Sequence, residues 1–311
     1  MTGTGRPSLG GGTRHTVVRV TVKDEVRDFL TTRRARVTPR EAGLTVFGAN
    51  RRVPGLRREE VAMLAGVSAD YYIRLERGNL AGVSEQVLDA LARALRLDDA
   101  ERAHLFDLAR ASAGPVRGSR RAAVSSVRPG VLRILDSLSG PAYVANGRTD
   151  ILAANDVALA LFDGLLDRDR MPVNLARLLF LDDRAPAFFL DWETVADDAA
   201  AALRAEAGRN PHDKSLTSLV GELATRSDEF RTRWARHNVK HHRRATKRLH
   251  CSLVGELTVD GEALELTGDG LVIITYTAEP DSPSAAALRF LSSWATEHRN
   301  LSGQRAAEMS V

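Results

Sequence analysis

The stretch Leu56 to Gly78, LRREEVAMLAGVSADYYIRLERG, gathers side chains suited to reading a nucleic acid. Arg74 carries the planar fork that matches guanine O6 and N7, and Asp70 can accept from a cytosine amino group or simply stabilise a helix N-terminus. Ser68 can cap that helix, and its hydroxyl and the neighbouring free N–H groups can meet a phosphate. Arg57 and Arg58 stand where a preceding helix would cross the backbone, which suits them to positioning rather than to base reading. Neighbours on a helix point about 100° apart, so Tyr71 and Tyr72 cannot share a face. Tyr72 is therefore assigned to packing, and Tyr71 to the outer face with Ala69 and Ile73. Val61, Ala62, Ala65, Val67 and Leu75 are the other inward residues, with Gly66 at the turn.

The second half of the chain offers different chemistry. Phe162, Phe180, Phe189, Trp192 and Trp234 fall on helical segments, and Tyr143 and Asn155 in a hairpin region. Such a set can line a pocket or simply fill a core. Asn155 also reads as the cap of the next helix. His237 and His241 have the spacing of two metal ligands on one helical face, but no cysteine or carboxylate joins them. The arginines of KHHRRATKR, which also holds His242, oppose a cation, so no metal is expected there. Asp182-Asp183 and Asp197-Asp198 are neighbours only in sequence, and no nucleophile-elbow, Walker or dinucleotide signature occurs. Cys251 falls in an expected strand, where a buried thiol is usually inert. Neither catalysis nor a cofactor is expected.

Composition narrows the partners. The 311 residues carry a net charge of +4, and residues 1–130 hold 23 Lys+Arg against 14 Asp+Glu while residues 131–311 hold 21 against 26. A basic front half and an acidic back half suit a polyanion at one end. A single cysteine excludes an intrachain disulfide, and neither a membrane-length apolar run nor a signal-peptide core is visible, so a soluble cytoplasmic protein is expected.

The elements that must position these residues follow from patterning. Residues 1–23 show no period and read as a disordered tail. Residues 24–112 read as five helices, with Val26, Phe29, Leu30 and Val37 on the first, Val87, Leu88, Leu91 and Leu95 behind a Ser84 cap, and Leu105, Phe106 and Leu108 on the last. The glycine- and proline-rich segment before the helix-turn-helix presents Arg51 and Arg52 as surface contacts to DNA. Residues 113–130 read as a linker, 131–297 as a second domain and 298–311 as a C-terminal tail. In the second domain two strands flank Asn146-Gly147, helices follow, and VGELTVDGEALELTGDGLVIITYTAE reads as three strands broken at Asp260-Gly261 and Gly268-Asp269-Gly270. The expected fold is an all-α five-helix domain joined to an α+β domain, with an antiparallel sheet of about five strands carrying helices on one face.

The helix-turn-helix stretch closely resembles that of the XRE (Cro/cI-like) class, in the MmyB-like group of regulators. The likeness extends over residues 26–297 through FLTTRRARV, GPAYVANGRTDILAAND, FLDWETVA, LVGELATRSDEFRTRWARHNV, TKRL and YTAEPDSPSAAALRFLSSWA. It implies a transcriptional regulator that binds double-stranded DNA, with a PAS-like second domain that takes a small apolar, fatty-acid-like effector. The alternative reading of that domain is a protein-interaction or dimerisation module without ligand. A homodimer is expected, because two half-sites multiply the affinity of one module. The family often has His-Pro where this chain has Cys251 and Ser252, and commonly Gly at the place of Asp281.

Overall fold

A computed structural model describes residues 21–44, 53–114, 126–239 and 244–308; Arg51, Arg52, His241, His242 and most of the N-terminal tail and linker lie outside the described residues. The first domain is built from α1 (Val22–Arg36), α2 (Arg58–Leu64), α3 (Ala69–Glu76), α4 (Glu85–Ala94) and α5 (Asp99–Ser112). Their starts fall where short polar side chains satisfy free helix N–H groups: Thr21, Ser68, Ser84 and Asp98 each accept from an N–H three residues on. Val26, Phe29, Leu30, Val61, Tyr72, Leu75, Leu91, Leu105 and Leu108 form the core. Val239, from the other side of the linker, is buried in the same cluster.

The second domain comprises α6 (Pro129–Ser137), β1 (Ala142–Asn146), β2 (Asp150–Ala154), α7 (Asp156–Leu161), β3 (Val173–Asn174), α8 (Leu175–Leu181), α9 (Ala185–Phe188), α10 (Trp192–Arg209), α11 (Lys214–Arg226), α12 (Asp228–Ala235), β4 (Arg244–Cys251), β5 (Gly255–Leu266), β6 (Leu271–Thr277) and α13 (Pro283–Glu308). The sheet is antiparallel in the order β3-β2-β1-β6-β5-β4, so the first and last thirds of the domain meet at the β1–β6 pair. This is the expected α+β arrangement, with a sixth, two-residue strand that is too short to leave a period in the sequence. No helix of the described residues is long and apolar enough to cross a membrane.

Several expectations are corrected. Asp260-Gly261 is no turn: β5 runs straight through it, paired with β4 on one side and with β6 on the other. Gly261 is there because a Cβ would stand 3.0 Å from Cε1 of the Tyr276 ring. Asn146-Gly147 does lie in the β1–β2 turn, but Thr149 takes the positive φ of 65°, while a Cβ on Gly147 would strike the Glu206 carboxylate at 2.3 Å. Helices do not occupy one face alone. Tyr143, Ala145 and Tyr276 face the main helical layer, whereas Val144, Leu271 and Ile273 pack against Val131 and Leu135 of α6 on the reverse. Finally, α13 continues through the residues read as a tail. Asp281, where the family commonly has Gly, indeed sits at φ 61°.

The two domains meet along α10. Its first half lies in the core of the second domain through Val195, Ala196 and Ala199. Its second half docks on the first domain, where Gly208 meets His104 of α5 and Arg204 pairs with Glu25 of α1. Arg204 is only 2 % exposed. It also donates to the Trp234 carbonyl at 2.6 Å and stacks on that indole, 3.9 Å from the ring centroid. Nearby, Arg33 of α1 donates to the His237 carbonyl.

Candidate nucleic-acid interface and aromatic core

The helix-turn-helix is held by contacts that assign each residue of its motif. After α2, Gly66 adopts φ 67° with open space around it, so the left-handed backbone alone calls for glycine. Val61, Ala62, Tyr72 and Leu75 are buried in the core of the domain, where α3 packs on α1 and α2 on α4. Tyr72 is fully buried, and burial beside the Glu76 carboxylate raises its phenol well above the ordinary value.

Glu76 explains the Leu-Glu-Arg-Gly exit. It is itself buried, and it is gripped by Arg34 Nε of α1 at 2.6 Å and by Arg58 of α2, with the Tyr72 hydroxyl at 3.5 Å. One carboxylate thus ties three helices together. Gly78 lets the chain pass α1, since a Cβ would stand 2.5 Å from the Lys23 carbonyl oxygen. Arg58, read from the sequence as a phosphate contact, spends one edge of its guanidinium on Glu76 and keeps the rest half exposed.

The outer face is equally definite. Arg74 and Asp70 are exposed, Ala69, Tyr71 and Ile73 are half-buried, and Ser68 caps α3 by accepting from the Tyr71 N–H at 3.2 Å. The Arg74 guanidinium lies 4.9 Å from the Tyr71 ring centroid, which holds the planar fork over an aromatic face at the helix surface. Tyr71 therefore packs at its base and orients Arg74. Arg57 is exposed at the N-cap of α2, where its own N–H is held by Glu60 at 2.7 Å.

The candidate ligand residues divide into two groups. Tyr143, Phe162 and Phe189 come together with Phe188 and Tyr276, at ring-centroid separations of 4.8 to 6.4 Å. Phe180, Trp192 and Trp234 form a second group around Phe230, roofed by Arg233 over Trp192 and Arg204 over Trp234. Asn155 belongs to neither. Its Oδ1 accepts from the Ala142 and Ala158 N–H groups, and its Nδ2 donates to the Leu135, Leu138 and Gly140 carbonyls, so it is a cap and strand anchor with no capacity left for a ligand.

Sequence reasoning missed Phe188, Phe230, Tyr276 and Lys247. The first three carried the same aromatic signal as the named residues, and Lys247 was hidden in a basic run. His250 points outward from β4 while Leu249 and Cys251 face the core. Burial raises the Cys251 thiol pKa, and its Sγ donates weakly to the Ala160 carbonyl at 3.6 Å. The acidic pairs are engaged in ion pairs, Asp182 with Arg184 and Asp197 with Arg233. A concavity of about 350 Å³ lies on the first domain between Asp89, Arg93, Arg96 and Arg102, but it is open and charged, and Arg102 is already paired with Asp89.

A helix-turn-helix family model matches residues 25–105, and the family model of the MmyB-like transcription regulator ligand binding domain matches residues 127–291. No curated protein matches the chain. The second match covers more than half of the chain, and the first spans the helices whose exposed face carries Arg74 and Asp70. The chain belongs to the MmyB-like transcription regulators, in which a DNA-binding helix-turn-helix domain is joined to a ligand-binding domain.

Proposed function

We propose that this regulator binds its operator as a homodimer through the outer face of α3, and that a small apolar, fatty-acid-like molecule in the second domain sets its occupancy. Arg74 reads a guanine, with Tyr71 and Ala69 against neighbouring base edges and Asp70 against a cytosine amino group or the helix end. Ser68, Arg57 and the free edge of Arg58 take phosphates, and Arg51 and Arg52 are assigned to the same backbone. A duplex reader of this kind needs its fork exposed yet preorganised, which the stacking of Arg74 on Tyr71 supports.

The observation that carries the regulatory half is the course of α10. One end bears Trp192 in the Phe180 aromatic group, and the other carries the buried Arg204 and Gly208 onto α1 and α5. An effector can shift DNA affinity only by favouring one arrangement of the domains, and a rigid helix lodged in both is a physical route for that preference.

A second reading makes the second domain an interaction module without ligand, and the mutual ring contacts of both aromatic groups favour it. The test is native mass spectrometry of the full chain, followed by binding to a duplex selected from a random pool with and without added fatty acid. A co-purified acyl mass and a changed Kd support the effector. A bare chain with an unchanged Kd selects the interaction module.

A further inference from the structure

Three of the buried cations of this chain have carboxylate partners: Arg33 has Glu101 at 3.1 Å, Arg204 has Glu25, and Arg233 has Glu193, Glu229 and Asp197. Lys247 does not. It is 6 % exposed on the inner face of β4, and its contacts are the Tyr276 hydroxyl at 3.3 Å and the Tyr276 ring, 5.4 Å from the centroid. The Tyr143 ring lies beside that of Tyr276, with the centroids 6.2 Å apart. Among the described residues no Asp or Glu lies within ion-pair distance of Lys247.

The group is rich in donors and poor in acceptors. An ammonium brings three N–H donors and the two phenols bring two O–H donors, against phenol oxygens alone as acceptors. Donors left over in an apolar interior, one of them charged, carry a large desolvation cost that a single anion would relieve. Beside them lie Phe162, 6.0 Å from Tyr143, and Phe188 stacked on Phe162 at 5.1 Å, which offers an apolar tail a path on from the charged head.

We propose that Lys247, Tyr276 and Tyr143 form an anion-binding end of the second domain that takes the carboxylate head of an acyl ligand, with the tail parting the Phe162, Phe188 and Phe189 rings. The inference deepens the apolar-effector reading and rests on it. It separates a fatty acid from a neutral lipid of equal length, because only the acid supplies the missing counter-ion. Gly261 belongs to this end as well, since its lack of a side chain leaves room for the Tyr276 ring.

The test is calorimetric titration of the full chain with decanoate and with decan-1-ol, for the wild type, Lys247→Met and Tyr276→Phe. The wild type is expected to prefer the acid by about ten- to a hundredfold, as a charged hydrogen-bonded contact would give. Lys247→Met should lose that preference while still binding the alcohol, and should melt higher than the wild type without ligand, because it removes an uncompensated buried charge. Tyr276→Phe should retain part of the preference. Equal wild-type affinity for both probes, or a Lys247→Met chain that still prefers the acid, overturns the anchor and leaves the apolar effector standing. Binding of neither probe overturns both.

Discussion

Gly208 of α10 and the imidazole of His104 on α5 lie so close that a Cβ on the glycine would stand 2.4 Å from His104 Cε1. A glycine inside a helix costs about 1 kcal/mol relative to alanine. Here that cost is offset by a close approach of two helices from different domains, with Arg204 and Glu25 paired alongside.

Gly208→Ala should therefore destabilise the chain by about 1 to 3 kcal/mol, the range for overpacking a tight contact. Gly221→Ala on α11, where a new Cβ meets nothing within 4 Å, should be neutral or stabilising by up to about 1 kcal/mol. Urea denaturation of the two variants checks this, and the idea fails if both shift alike.

Acid should loosen the junction. Burial, reinforced by Arg204 and Arg33, pushes His104 down to about 3, and burial together with Arg204 pushes His237 down to about 4 against the opposing pull of Asp28. Both rings are neutral in the folded chain, whereas the unfolded chain takes protons near the ordinary value of about 6.5. The unfolded state then holds more protons below that pH, so stability is flat above it and falls as pH drops toward 4 and 3. Denaturation midpoints should hold at about pH 7.5 and drop by about pH 5, and His104→Leu should shrink the drop.

Arg204→Met should cost about 3 to 5 kcal/mol, since it leaves Glu25 without its buried partner and removes the bond to the Trp234 carbonyl. Glu25→Gln should cost less, and the double variant less than the sum. Additive costs in that cycle would mean that the pair does not couple the domains.

Arg74→Ala should relax sequence preference at one base position by about 1 to 3 kcal/mol while leaving salt-sensitive binding in place. Tyr71→Ala should weaken the same preference by freeing the guanidinium from its stacking face. Selection from a random duplex pool reads both, and an unchanged motif in Arg74→Ala removes the residue from the base-reading role.

Much of the first domain was legible in order, because its signals are local. Ser68 and Ser84 cap helices three residues away, Gly66 needs a left-handed backbone whatever surrounds it, and the 100° step between Tyr71 and Tyr72 forces one inward. The sequence gives no clear helical signal for α6, which falls at the end of the expected linker and the opening of the second domain, or for α13, whose end falls in the expected tail. Their apolar stripes are short or diluted by small and polar residues.

The glycines show where the limit lies. Gly66 makes the turn that the sequence predicts, whereas Gly261 lies inside β5 and Gly147 leaves the left-handed turn position to Thr149; a Cβ at either would crowd a side chain remote in sequence, Tyr276 or Glu206. Asn155 was legible as a cap, whereas the division of the aromatic residues into two groups and the lack of a partner for Lys247 were not. The amino-acid order alone determined the helix-turn-helix, its exposed arginine and the α+β character of the second domain, because caps, periodicity and left-handed turns act over a few residues. Which glycine makes a turn and which admits a neighbour, which cation is paired and how α10 joins the domains were decided only by the tertiary structure, because these depend on distances between groups far apart along the chain.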